Sequence, residues 1–441
     1  MTVHEEMRGK AAARHIFERT LAAIDVTDTL ARCISRAGDS IRCDDSVANL
    51  SGFRRILTIA IGKAAGPMAG ALCASLAPDF RTEGILVAPS LPVTPPPDWN
   101  VFVGGHPLPN DASFLAGRAI FDELAKADEQ TLIIFLLSGG GSALAECPLD
   151  SSISPGDFQQ LHSALVTCGA PIEEINVVRR HLSALKGGRM AALAPSAVKF
   201  TYAISDVPAG HETALASGPT LPDPTTIADA RRVIERLNLW GALPQSAIAL
   251  FGGNSLPETP KPGDPAFARS AFQLILGPHE LIHAAHHASE SAGYVTICDD
   301  STDGWPLEEA AEHLLAQLAN VRAANPARKA CVISGGEVSS VVSGNGRGGR
   351  NSAFVLACVE KIADGPITVF SAGTDGIDGN SPAAGAVADG GTLTRAQSAG
   401  LLPNDFAQRS DAFSFFERVD DAIMTGPTGN NLRDLRILLM E

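Results

Sequence analysis

The hydrophobic positions fall into short apolar runs, most of them released into glycine and followed by a stretch of helical spacing. A strand buried on both faces reads as a continuous apolar run, and a helix as a period of about 3.6 residues. The first 35 residues predict helix, with Ile16, Leu21, Ile24 and Leu30 among polar neighbours. ILTIAIGKAAGPMAGAL predicts a strand, a glycine turn and a helix. GILVAPS and NVFVGG predict short strands around the turn-rich LPVTPPPDW. TLIIFLLSGGGSAL predicts a strand entering a glycine turn, and VKFTYAISD a strand ending in a carboxylate. NVVRRHLSALKGG predicts one continuous helix.

Beyond LPETPKPGDP, residues 256–265, FQLILG predicts a strand and HELIHAAHHASESAG a helix. CVISGGEVSSVVSGNGRGGRNSAFVLACVEKI predicts two strands, a loop and a helix, and ITVFSAGTDG a strand ending at another carboxylate. Alternating strands and helices indicate an α/β fold with a parallel sheet. Polar and glycine motifs gather at strand carboxyl ends, the edge where open parallel sheets bind ligands. A length of 441 residues favours more than one domain. The proline- and glycine-rich loop sets the expected boundary, giving domains at 1–255 and 266–441.

Charge narrows the functional classes. A formal charge of −15 argues against a nucleic-acid partner, which needs a basic face. It does not bar an anionic small substrate, because a few local cations override the mean field. The eight cysteines include no CxxC pair, which argues against structural zinc and for free thiols in a reducing compartment. The run LIIFLL is far too short for a membrane helix, and MTVHEEMRGKAAARHIF lacks an apolar signal core. The expectation is a soluble cytoplasmic protein with no membrane partner.

The loop SGNGRGGRNSAF contains GxGxxG as Gly344, Gly346 and Gly349. Such a loop before a helix is a dinucleotide fingerprint when the pyrophosphate meets bare backbone. Here Arg347 and Arg350 interrupt the glycines. Guanidinium forks beside N–H groups of Gly346, Gly348 and Gly349 suit a terminal phosphoryl group better. A solvated glycine hairpin is the plain alternative.

IGKAAG places Lys63 at a strand end opening a helix, where a cation adds to the anion preference of a helix start. It is not a Walker A loop, since Leu57 and Ala64 replace the first glycine and the magnesium-binding hydroxyl. Ser138, Gly139, Gly140, Gly141 and Ser142 form a second nest of phosphate size. Asn176, Arg179, Ser183 and Lys186 fall on one face of a helix that reads through them, a stripe able to meet an anion or simply water. Asp206, Asp375 and Asp378 stand beside turns at strand ends, where a carboxylate holds magnesium, accepts a proton or makes an Asx-turn. HELIH, residues 279–283, matches a zinc-hydrolase pattern without its downstream companions.

Taken in order, IGKAAGPMA, GGHPLPN, LSGGGSAL, NVVRRHLSALKGGRMA, ISDVP…ASGPTLPDPTT, SGGE…GNGRGGRN, GTDGIDG…AAGAVADGGT and TGPTGNNLRDLRILL resemble the glycerate 2-kinase family across roughly residues 10–440. The C-terminal part, about 329–438, resembles its MOFRL domain. Members have also been labelled hydroxypyruvate reductases. The resemblance implies two α/β domains, one Rossmann-like with a parallel sheet and one smaller and mixed, with the active site in the cleft between them. It implies ATP- and Mg2+-dependent phosphorylation of D-glycerate to 2-phosphoglycerate, and it admits a homodimer.

The family's active-site residues match Lys63, Asp206 and Arg350. On that basis Arg350 and Lys63 hold the transferring phosphoryl group, and Asp206 orients the acceptor hydroxyl and takes its proton late. Arg179 and Lys186 bind the acid's carboxylate. Asn176, Asn351, Arg347 and the two glycine turns line the substrates, and Asp375 meets the metal or the substrate hydroxyls. The chain departs from the family at Ala209, His211, Arg189, Ser352 and Ala353. The rival readings are an NAD(P)-dependent hydroxypyruvate reductase, a ligand-binding relative without catalysis, and a zinc hydrolase.

Overall fold

The computed structural model describes residues 3–34, 38–207, 210–253 and 255–441. The chain forms two compact units, Val26–Ile275 and Met1–Asp25 with Leu276–Glu441. They are called the N-terminal and C-terminal units below. Both are α/β.

The N-terminal unit opens with a small antiparallel pair, β1 (Ser40–Cys43) and β2 (Ser46–Asn49). Its main sheet contains β3 (Arg55–Ile61), β4 (Glu83–Ala88), β5 (Asn100–Val103), β6 (Thr131–Leu137), β7 (Val198–Ile204) and β8 (Ser270–Leu276), in the order β5-β4-β3-β6-β7-β8. The pairs β5–β4, β4–β3, β3–β6 and β6–β7 are parallel. β6 is buried along its whole length, which is why it runs on from Thr131 as the unbroken apolar LIIFLL. Ile59, Ile85, Ile133 and Phe135 form the core on one side with Ile120 and Leu124 of the helix Asp111–Leu124. The chain moves outward from β3 through β4 to β5, then returns to β6 and moves the other way. The switch point therefore lies between the carboxyl ends of β3 and β6, where doubly wound sheets open a crevice for ligands.

The C-terminal unit holds a mixed sheet of β9 (Val295–Cys298), β10 (Ala330–Ser334), β11 (Ile367–Gly373), β12 (Gly385–Asp389), β13 (Ala422–Ile423) and β14 (Asp434–Met440). The order is β13-β12-β11-β14-β10-β9, with only β9–β10 parallel. The predicted strand through SSVV is absent, because residues 340–347 run as irregular chain after the bridge at Ser339.

The division differs from a break at 255–266 in two places. β8 lies beyond that loop yet extends the N-terminal sheet. The first helix, Val3–Ala23, packs in the C-terminal unit: Lys10 pairs with Asp421 at 2.6 Å and Asp389 at 3.2 Å, and Phe17 meets Phe370 at 5.0 Å. Among the described residues no helix is long and apolar enough to cross a membrane, and all eight cysteines are free thiols.

Candidate active site

At the switch point the two strand-end turns are stitched together. Ser138 N–H donates to Ile61 O at 3.0 Å, Lys63 N–H to Gly139 O at 3.0 Å, and Ala64 N–H to Ser138 Oγ at 3.0 Å. Gly62 has φ +132°, and a Cβ there would lie 2.1 Å from Ser138 Oγ, so the turns close only on glycine. Gly140, at φ +85°, faces two side chains. A Cβ on it would meet the His106 ring at 3.2 Å and Lys63 Cγ at 3.5 Å. His106 therefore lies over the same turn as the Lys63 stem.

Asp206 follows β7, in a turn where Val207 N–H donates to Ser205 Oγ at 3.0 Å. Desolvation, and then the Lys63 charge, hold the His106 imidazole below its ordinary pKa, with Asp206 opposing them. Lys63, His106 and Asp206 thus form one electrostatic group at the carboxyl edge of the sheet. His106 stands in GGHPLPN, a motif whose position in sequence order is visible but whose approach to Lys63 is not.

A polar chain continues behind the second nest. Ser142 Oγ lies 2.8 Å from Ser217 Oγ, which donates to Asn176 Oδ1 at 2.9 Å. Asn176 is buried on the helix Ile172–Leu182. Arg179, one turn on, is 5% exposed, and among the described residues its guanidinium makes no hydrogen bond or ion pair. Burial pushes its pKa down to about 10, with Glu146 opposing. Its neighbour Arg180 is paired through both terminal nitrogens, donating to Asp223 at 3.1 Å and Thr213 O at 2.6 Å, and among the described residues only its Nε lacks an acceptor.

The expected stripe does not continue to Lys186. The helix stops at Leu182, and Ser183 turns extended at φ −106°, ψ 137°. Lys186 then points into the interior, where its ammonium pairs with Glu146. Both are buried, and Glu146 Oε1 also accepts from Ser183 Oγ at 2.5 Å. Lys186 is spent on that carboxylate, which corrects its assignment to the substrate. Glu146 carries no sequence signal, because its partners arrive from a segment some forty residues on.

In the C-terminal unit the arginine-bearing loop is closed onto the protein. Gly346 N–H donates to Arg409 O at 3.0 Å, Arg347 N–H to Asp411 Oδ1 at 2.9 Å, and Gly348 N–H to Asn380 Oδ1 at 2.8 Å. Gly349 N–H reaches Asp378 Oδ2 at 3.1 Å. The expectation that these N–H groups meet a phosphoryl group is therefore corrected: each already has a protein acceptor. Asp378 also accepts from the N–H groups of Asn351 at 3.0 Å and Ser352 at 2.9 Å. It is buried and occupies the amino end of the helix Arg350–Val359, where a dinucleotide's pyrophosphate would sit.

Arg347 lies 4.5 Å over the Phe413 ring, 3.9 Å from Glu417. The Asn351 amide oxygen accepts from Ser371 Oγ at 2.6 Å. Neither arrangement is a ligand contact in itself. Ser352 belongs to the helix cap rather than to a substrate-facing surface, and Ala209 lies outside the described residues.

Arg350 is placed differently. Its Nε donates to Asp434 Oδ2 at 2.5 Å, and Nη2 lies 2.7 Å from Glu337 Oε1. Burial works against its charge, but the two carboxylates outweigh it and raise its pKa. Its side chain is 36% exposed, at a cavity of about 1060 Å³ that also takes in Asp375 and Asp434. Asp375 Oδ1 accepts from Ile377 N–H at 3.0 Å in an Asx-turn. Among the described residues no group of three or more His, Cys, Asp or Glu is arranged to hold a metal. His279 and His283 of HELIH stack on a helix, with His279 largely exposed.

The chain matches two family models, one described as a domain of unknown function (DUF4147) over residues 12–252 and the MOFRL family over residues 330–434. D-glycerate 2-kinase of Thermotoga maritima is 33% identical over 389 residues, covering 88% of this chain and 91% of its own. An Agrobacterium vitis protein provisionally named a hydroxypyruvate reductase is 37% identical over 393 residues, covering 88% and 87%. The crystal structure of glycerate kinase from Thermotoga maritima aligns with a TM-score of 0.85 at 30% identity, covering 98% of this chain and 99% of that one.

Proposed function

The chain belongs to the glycerate 2-kinase family, and on that premise we propose that it transfers phosphate from ATP to the 2-hydroxyl of D-glycerate, or of a closely related small hydroxy acid, in the cytoplasm. The observation that carries this reading over a nicotinamide-dependent reductase is the Asp378 carboxylate at the start of the helix Arg350–Val359. The GxGxxG loop there is a folded brace, and the N–H groups a pyrophosphate would need at that helix end are already taken by this side chain.

Roles follow unit by unit. In the N-terminal unit Lys63 offsets charge on the transferring phosphoryl group, and Asp206 orients the acceptor hydroxyl and receives its proton. Ser138 to Gly141 shape the turn under them. Arg179, a buried guanidinium with no hydrogen bond or ion pair among the described residues, takes the acid's carboxylate, for which its fork is the matching donor. In the C-terminal unit Arg350, held in place by Asp434 and Glu337, contacts the polyphosphate. Mg2+ fits this set as an ion arriving on the nucleotide, since it needs only one or two protein carboxylates beside phosphate oxygens. Asp375 is the carboxylate that would hold it, and the ion would neutralise phosphate charge.

The test is a screen of small hydroxy acids by a coupled ATP assay, run beside a nicotinamide absorbance assay with hydroxypyruvate. ATP-dependent product with glycerate, phosphorylated at the 2-position by NMR, supports the kinase. Nicotinamide turnover without ATP consumption overturns it. Arg350→Ala should lower turnover by a factor on the order of 10²–10³ with the fold intact, as for removal of one electrostatic donor.

A further inference from the structure

The cavity of the C-terminal unit is too large for a small hydroxy acid. Its volume of about 1060 Å³ is at the upper end of small-molecule pockets, and a three-carbon acid would leave most of it empty. Its lining has two kinds of residue. The charged group includes Arg350, Glu337, Asp434 and Asp375: the first three are linked directly, and a Cβ on Gly373 would meet Asp375 at 3.1 Å and Asp434 at 3.5 Å. The apolar group includes Val341 and Val342 with residues of the segment from Pro403 to Ala407. Ser343 fastens these two segments together, its N–H and Oγ bonding Ser410 Oγ and Gln408 O at 3.0 Å each.

Val341 and Val342 are 89% and 78% exposed on irregular chain, so packing in the free protein does not account for them. The charged group has its own asymmetry. Asp434 and Glu337 engage Nε and Nη2 of Arg350, which fixes the plane of the guanidinium. Carboxylates outnumber cations around it, so a bare polyphosphate would be repelled and one carrying a divalent cation would not.

Resting on the kinase reading, we propose that this cavity binds the nucleotide, with the purine against Val341 and Val342 and a metal-bound polyphosphate at Arg350. The MOFRL-matched region then serves to hold the phosphate donor. The acid belongs to the N-terminal unit, at Arg179. Nucleotide binding here uses a mixed apolar and charged pocket and does not use the glycine fingerprint, whose N–H groups are already occupied.

The experiment is titration of the full chain with methylanthraniloyl-ADP, followed by fluorescence, with Mg2+ and with EDTA. The unaltered protein should bind in Mg2+ and lose binding in EDTA. Val342→Asp and Val341→Asp place a charge against the base and should weaken binding about tenfold or more. They should raise the KM for ATP and leave the KM for the acid in place. Both positions are exposed, and melting curves like that of the unaltered protein check the fold. Binding by Val342→Asp equal to the unaltered protein, or binding indifferent to EDTA, overturns the proposal. The kinase reading fails separately: unaltered protein that binds the probe through Val342 and phosphorylates no acid keeps the nucleotide site and loses the kinase.

Discussion

Ser352 donates to Asp378 twice, from its backbone N–H at 2.9 Å and from its hydroxyl at 2.6 Å. Gly349 and Asn351 add their N–H groups to the same carboxylate. One buried side chain therefore satisfies the start of the helix that presents Arg350. Asp378→Ala leaves these donors without an acceptor, so the expected loss is about 2–4 kcal/mol, the range for orphaned buried donors and a lost cap. Urea unfolding measures it. A stability equal to that of the unaltered protein would show that the cap contributes nothing, and would remove the main objection to a dinucleotide at this helix.

Arg179 and Lys186 look equivalent in sequence and should behave oppositely. Lys186→Met strands the Glu146 charge in the interior, and breaking such a pair costs about 3–5 kcal/mol. Arg179→Met removes a buried charge that makes no hydrogen bond or ion pair among the described residues, so stability should hold or rise. Its cost should appear in kinetics, as a higher KM for the acid and little change in the KM for ATP. Melting curves and initial rates on both variants separate the cases. A destabilised Arg179→Met with normal KM values would make Arg179 a structural residue.

These contrasts mark what the sequence makes legible. The strands ILTIAI, LIIFLL and VKFTYAI and the turns at Lys63 and Ser138 to Gly141 are contiguous features and survive folding, whereas the strand expected through SSVV does not form. The helix end at Leu182 is not marked by proline or glycine, since the glycines come only at 187 and 188, and the polar period runs on past it. Glu146 with Lys186, and Asp378 with the N–H groups after Gly349, are pairings across the fold. The first helix joins the C-terminal unit through Lys10 and Phe17, contacts spanning most of the chain. Residue type alone cannot distinguish a lysine that meets substrate from one that meets a buried glutamate.

His106 sets a pH limit on the proposed reaction. Its pKa lies below the ordinary 6.5, through desolvation first and the Lys63 charge second. Protonation is thus disfavoured, the ring is neutral at pH 7, and a second cation appears beside Lys63 only in acid. The expected profile is a kcat/KM that falls as pH drops through an apparent pKa below 6.5. His106→Gln, which cannot titrate, should flatten that limb. An unchanged acid limb in this variant would assign it to another group.

Asp223 ties acid stability to the loop behind the active site. It accepts from Arg180 at 3.1 Å, from Thr225 N–H at 3.0 Å and hydroxyl at 2.8 Å, and from Thr259 at 3.0 Å, while Arg180 also holds Thr213 O. Burial opposes its charge, but Arg180 and the hydroxyl donors outweigh it, and its pKa lies below 3.8. The unfolded chain therefore takes up this proton at higher pH than the folded chain does. The stabilisation is present above about 3.8 and is lost as pH falls through the folded value. Asp223→Asn should cost about 3–5 kcal/mol at pH 7, since it leaves Arg180 buried beside a neutral group. The gap to the unaltered protein should narrow in acid, because both then carry an uncharged side chain there. Urea unfolding at pH 7 and at successively lower pH gives both numbers, and a gap that stays constant into acid would place the charge dependence elsewhere.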